Sequence, residues 1–232
     1  MRDDAEMWPS DIDDLAREQR RLAAADPLPW RLPEGSVTIG GCWVAFARGL
    51  AGRGSIGDPA WCAAVTMRGR RTRGAATLEG QASWSYAPGL LALRLGALFE
   101  AVVDALPERP DVLLVDATGR DHPRRAGLAL HLGAVLDVPT VGVTHRPLLA
   151  SGHWPVEGQP TSPIRLDDEV VGHWVQTRPG TRPVVVHAGW RTDPMTAVDV
   201  VWRASAGHRT PEPLRQARRL ARRSRAADSR SR

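Results

Sequence analysis

Two short apolar runs, residues 112–115 and 140–143, are separated by a Gly-containing turn and a stretch of helical pattern. No polar residue interrupts either run until it ends, so both read as strands buried on two faces. The first stops at Asp116, which places one carboxylate at the rim of a sheet, where ligands of open α/β sheets bind. The competing reading is a cap on the following turn. Upstream, residues 37–46 (VTIGGCWVAF), 61–67 (WCAAVTM) and 75–78 read as three strands, the first two joined by a turn-rich segment. The pattern Ile12, Leu15, Gln19 and Leu22 predicts an amphipathic helix over about 10–25, broken at Pro27 and Pro29. Leu91, Leu95, Leu98, Val102 and Leu106 predict a second over 89–106, after an aromatic loop at 84–88. Beyond the central stretch, 169–176 and 183–187 read as strands, and 195–204 and 211–223 as helices. Three strands followed by alternating helices and strands give an α/β protein: a mixed β-sheet with antiparallel edge strands and a parallel centre, flanked by helices.

A chain of 232 residues suits one domain, here expected over 1–224 with an Arg-rich, disordered tail over 225–232. Residues 215–232 hold eight Arg in eighteen positions, and much of the net charge of +5 resides there. A pI near 10.6 favours a polyanionic partner. Every basic residue is Arg, which suits phosphate recognition by a planar fork, although a coding bias gives the same usage. The absence of a long apolar run and the polar first residues predict a soluble, cytoplasmic protein with no membrane partner. Cys42 and Cys62 lie in apolar strand-like segments and read as core residues rather than zinc ligands or a disulfide. His131 sits among leucines and reads as structural, and the other histidines outside the central stretch are too scattered to form a metal set. Nucleotide-loop, dinucleotide and serine-nucleophile signatures are missing.

The segments TIGGCWVAF, SYAPGLLALRLG, LLVDATGRDHPRRAGLALHLG, VPTVGVTHRPL and GHRTPEPLRQA resemble the endonuclease V family in order and approximate spacing, from about Gln19 to Leu220. The block with Asp116, His122, Pro123 and Arg124 is the most specific part. The resemblance implies a ribonuclease H-like fold, which the order of elements fits. It also implies recognition of deaminated adenine, as deoxyinosine in DNA or inosine in RNA, with magnesium-dependent cutting on the 3′ side.

Position by position, the resemblance implies a degenerate metal site. Relatives place carboxylates where this chain has Trp43 and Leu95, and an Asp or His where it has Arg218; only Asp116 of these four is retained. The family's Lys after the second parallel strand is His145. Leucine offers no lone pair and indole only a donor, so neither replaces a carboxylate on magnesium. Trp43 is expected to fill the ion's volume and Arg218 to pair with Asp116, leaving an apolar plug and an ion pair. Asp121 is the candidate substitute ligand, set against a solvated loop carboxylate.

The binding positions fare better. Tyr86, Pro88 and Gly89 keep the family's wedge, and Gly89, Leu91, Gly119 and His122 match its base pocket, while Ala117 stands where relatives have Gly. Tyr86 is expected to stack on an unpaired base, and Arg124 and Arg125 to contact phosphate, against ordinary packing and solvated charge. The expected function is nucleic-acid binding, DNA or RNA, directed at inosine, with metal-dependent cleavage lost and no cofactor required. Two alternatives stand beside it: an active magnesium-dependent endonuclease V, and a repurposed scaffold with a protein partner.

Overall fold

The computed structural model describes residues 8–50 and 52–231. Helix α1 (Ile12–Ala24) starts where Asp11 accepts the Asp14 amide at 2.8 Å. Strands β1 (Thr38–Phe46), β2 (Pro59–Arg68) and β3 (Arg71–Gln81) form an antiparallel meander. There follow α2 (Leu91–Asp104), β4 (Val112–Val115), α3 (Leu128–Leu136) and β5 (Thr140–Thr144). The chain continues through β6 (Thr161–Leu166), β7 (Glu169–Val175), β8 (Val184–Ala188), α4 (Pro194–Ala204) and α5 (Glu212–Ser231). One eight-stranded sheet has the order β3-β2-β1-β4-β5-β8-β7-β6. Strands β1, β4 and β5 are parallel and all other pairs are antiparallel. The expected parallel centre with antiparallel edges is therefore present on both sides.

Alternation along β4 builds two cores. Leu113 and Val115 pack with α2 and α3, while Val112 and Leu114 pack with α4 and the start of α5. Cys42 and Cys62 are both buried as free thiols in the first core, as their apolar surroundings predicted. Helix α5 lies close against β1 because of Gly41, where a Cβ would come within 2.6 Å of the Pro213 carbonyl carbon. Larger residues there would push the helix off the sheet.

Two features differ from expectation. Strand β6 was not anticipated: it carries Pro163 and few apolar residues, and it is tolerated because it forms the sheet edge, where a missing N–H costs no ladder bond. Helix α5 runs on to Ser231, whereas the sequence suggested a helix over 211–223 and disorder from 225. Arginine is a good helix former, and Arg225 donates from Nη1 to the Phe46 carbonyl at 2.9 Å, tying this last stretch to the end of β1. No helix among the described residues is long and apolar enough to cross a membrane.

Candidate nucleic-acid interface

The parallel register pairs Cys42 with Val115, so the next residues, Trp43 and Asp116, leave the β1–β4 ladder side by side. Leu95 comes to the same rim from α2, and it lines with Asp116 a cleft of about 370 Å³ whose other walls include Phe46, Arg53, Asp58, Tyr86 and Arg94. Trp43 turns the other way, between the sheet and α5, against Ala45, Ala63 and Leu220. The Arg218 guanidinium lies over its ring at 5.3 Å from the centroid. The expected ion pair is therefore replaced by a cation–π contact: Arg218 forms no salt bridge with Asp116 among the described residues, and its Nε is buried without a hydrogen-bond partner. The ring offers a flat face close by, which Arg218 takes in preference to the carboxylate. Burial pushes the Asp116 carboxyl up to about 6, with the Arg218 charge opposing that shift.

Asp121 is neither a substitute ligand nor a solvated carboxylate. It is fully buried and accepts the amides of Leu148, Leu149 and Ala150 at 2.7, 2.9 and 2.8 Å, so its lone pairs are spent on the loop after β5. Its Oδ2 also lies 3.8 Å from Nδ1 of His187. His187 is otherwise held by Thr144 at 2.9 Å, and burial lowers its pKa to about 4. Among the described residues, no group of three or more His, Cys, Asp or Glu is placed to hold a metal ion. The donor set does not fit magnesium: of the other three implied positions, Leu95 alone shares the cleft with Asp116, while Trp43, turned towards α5, does not fill the ion's volume as expected and is held by Arg218, and none of the three has a lone pair for a hard cation.

A second, smaller cavity of about 170 Å³ opens beside the first. Tyr86, Leu91 and Asp116 line both; Pro88, Gly89, Ala117, His122 and Gln19 complete the smaller one. Tyr86 is 43% exposed, so one face of the ring remains available at the mouth. Gly89 adopts φ +80°, a conformation suited to glycine, and its carbonyl lies 3.1 Å from His122 Nε2. His122 Nδ1 accepts the Arg124 amide at 3.1 Å, which assigns the proton to Nε2 and makes Gly89 its acceptor. Burial lowers the His122 pKa to about 4, so the neutral ring acts as a brace for the wedge loop.

Other predicted residues take supporting positions. Gly119 packs on β8, where a Cβ would fall 1.9 Å from the Ala188 carbonyl oxygen, and it does not line the small cavity. Arg124 donates to Gln19 Oε1 at 3.0 Å. Arg125 reaches the Leu166 carbonyl at 3.0 Å and pairs with Asp167 at 2.7 Å and Glu169 at 3.3 Å. His145 is on the surface just past β5; partial desolvation and then the charges of Arg209 and Arg218 hold its pKa down.

Two contributors were not singled out beforehand. Gln19 was placed on an amphipathic helix, but it is buried and lines the small cavity. Arg94 is buried on α2, bonded to Asp58 at 2.7 Å and to the carbonyls of Ser55 and Trp84 at 2.8 and 2.6 Å. It thus pins the loop between β1 and β2 to the loop that carries Tyr86. The signal was a charge inside the apolar run LALRLG, which requires a buried partner.

The endonuclease V family model matches residues 31–219. An endonuclease V of Roseiflexus castenholzii is 39% identical over 176 residues, covering 72% of this chain and 77% of the relative. Matches to other curated endonuclease V proteins span 54–64% of their length. The crystal structure of endonuclease V from Streptomyces avermitilis superposes with a TM-score of 0.83 at 31% identity, over 96% of each chain. Endonuclease V of Ciona intestinalis, in complex with a 23mer DNA containing an inosine followed by a ribo-adenosine, shares the fold at a TM-score of 0.77 and 20% identity, over 93% of this chain and 97% of that one. The fold is ribonuclease H-like. With its sheet, its Tyr86 loop and its Asp116 rim all falling within the matched span, the chain belongs to the endonuclease V family.

Proposed function

We propose that this chain binds inosine-containing nucleic acid and has lost metal-dependent cleavage. Binding is supported by the small cavity at the strand rim, which is walled by apolar side chains together with Gln19, Asp116 and His122, opens beside an exposed tyrosine ring and suits an extruded base. Tyr86 stacks on the neighbouring base or fills the gap it leaves, while Gln19 and His122 hold the wedge loop in position. The Ciona relative bound to inosine-containing DNA supports the choice of base. Ala117 adds a methyl group to the cavity wall and restricts what fits.

The single observation that carries the loss of cleavage is the Trp43–Arg218 stack. Two positions that supply oxygen or nitrogen ligands in the family instead hold each other, and Leu95 removes a third. An ion in the cleft would meet the Leu95 methyl groups and one free carboxylate, Asp116, because Asp58 is held by Arg94, too few oxygens for magnesium.

The test is equilibrium binding of a single-stranded oligonucleotide carrying one inosine, against the same strand with adenosine, in EDTA and in magnesium. The expected result is tighter binding to the inosine strand by the same ratio in both buffers. Affinity that appears only with magnesium would refute the reading, and no affinity for any DNA or RNA would point to the scaffold alternative.

A further inference from the structure

Asp116 lines both cavities, and its carboxylate is engaged in neither. Among the described residues it accepts no hydrogen bond and forms no salt bridge; burial and the charge of Arg218 are what set its pKa. The other polar side chains of the small cavity are taken. Gln19 Oε1 accepts from Arg124 at 3.0 Å, and His122 is occupied on both ring nitrogens, by the Gly89 carbonyl and the Arg124 amide. The Thr144 hydroxyl donates to the Arg146 carbonyl at 2.8 Å and lies 2.9 Å from His187 Nε2. The Thr118 hydroxyl lies against Gly127, where a Cβ would fall 2.5 Å from it. Tyr86 stands exposed at the mouth. The wall therefore carries one carboxylate with open lone pairs, beside the apolar side chains of Leu91, Ala92, Leu128 and Leu148.

We infer that the Asp116 carboxylate reads the Watson–Crick edge of the base in the small cavity, accepting the N1 hydrogen of a 6-oxopurine. The inference rests on the binding function proposed above and names the side chain that selects the base. Hypoxanthine and guanine are lactams with a hydrogen on N1, whereas adenine has a lone pair there. An ionised carboxylate only accepts, so it attracts the first kind of edge and repels the N1 of the second. A carboxylate withdrawn from water is costly until a donor reaches it, and a site built to hydrogen-bond a donor rejects a base that lacks one. The carboxylate that the family resemblance assigns to magnesium is left here to the cavity, because Leu95 adds no second oxygen beside it.

Affinity should be measured in EDTA at a pH two units above the value of about 6 to which burial raises Asp116, so that the carboxylate is ionised. The probes are oligothymidine strands with one central deoxyinosine, N1-methyldeoxyinosine or deoxyadenosine. For wild type, methylation of N1 is expected to weaken binding roughly tenfold to a hundredfold, the worth of one hydrogen bond to a charged group. Asp116→Ala should weaken the deoxyinosine strand by a similar factor and lose nothing further on methylation. Asp116→Asn presents an acceptor and a donor together, so it should bind the deoxyinosine and deoxyadenosine strands alike, a change that a purely structural role would not produce. Three results would overturn the assignment of Asp116 alone: equal wild-type binding of the deoxyinosine and N1-methyldeoxyinosine strands, losses that add in Asp116→Ala, or a wild-type preference kept by Asp116→Asn. Wild-type protein that binds no strand, or binds the deoxyadenosine strand as tightly as the deoxyinosine strand, would overturn the inosine-binding function and this inference together.

Discussion

Trp43 and Arg218 hold each other between the sheet and α5, and the proposed loss of the metal site rests on that contact. A guanidinium over an indole contributes about 0.5–2 kcal/mol, and here it also fills the space between the sheet and α5. The triple change Trp43→Asp, Leu95→Glu and Arg218→Asp should restore four acidic positions around one rim. Titration with manganese is expected to show saturable binding in the triple variant and none in wild type; equal behaviour of the two would sink the assignment of these positions. Asp116 supplies a second residue-scale test. Because burial raises its pKa from an ordinary 3.8 to about 6, the folded chain holds this proton more tightly than the unfolded chain. The stability contributed by the neutral acid is full below pH 3.8 and is lost as pH rises to about 6. Asp116→Asn should therefore stabilise the protein at pH 7 by on the order of 2 kcal/mol, and by nothing near pH 3.5, in denaturation curves at the two pH values.

At the level of elements, the apolar runs ending at Asp116 and at Thr144 identified the parallel strands, because strands buried on both faces leave no polar interruption. The helix periodicities over α1 and α2 were equally legible, and α1 matches its expected span to within two residues. What remained hidden depends on partners distant in sequence. Asp121 binds amides 27 to 29 residues away, and nothing around a carboxylate in a Gly- and Pro-containing turn announces them. Strand β6 was hidden by Pro163, and the length of α5 by its low apolar content beyond Leu220. The orientation of Arg218 was undetermined because an aromatic face and a carboxylate both attract a guanidinium. The Asp121 clamp has a measurable consequence. Asp121→Ala leaves three amides of the 148–150 loop without their charged acceptor, and a loss of about 4 kcal/mol in chemical denaturation is expected. A loss under about 1 kcal/mol would mean that water replaces the carboxylate at little cost.

For the whole molecule, three buried histidines govern the response to acid. Burial lowers the pKa of His122, His131 and His187 to about 4, from an ordinary 6.5. Each is neutral in the fold and charges on unfolding, so stability falls as pH drops from 6.5 towards 4, while Asp116 acts in the opposite sense. At pH 5 unfolding should take up roughly two protons, read from the pH dependence of the denaturant midpoint. The same molecule carries a net charge of +5, with its arginines concentrated on α5, and a base-sized cavity at the strand rim of an endonuclease V fold. Fold, charge and cavity fit the binding of nucleic acid, and the proposed loss of cleavage rests on the side chains around Asp116. The most direct test incubates a single-stranded oligonucleotide bearing one inosine with the protein in magnesium or manganese, following complex and product together. The account predicts a complex that forms and persists with no product. Product that accumulates with turnover, and disappears in Asp116→Ala, would contradict it.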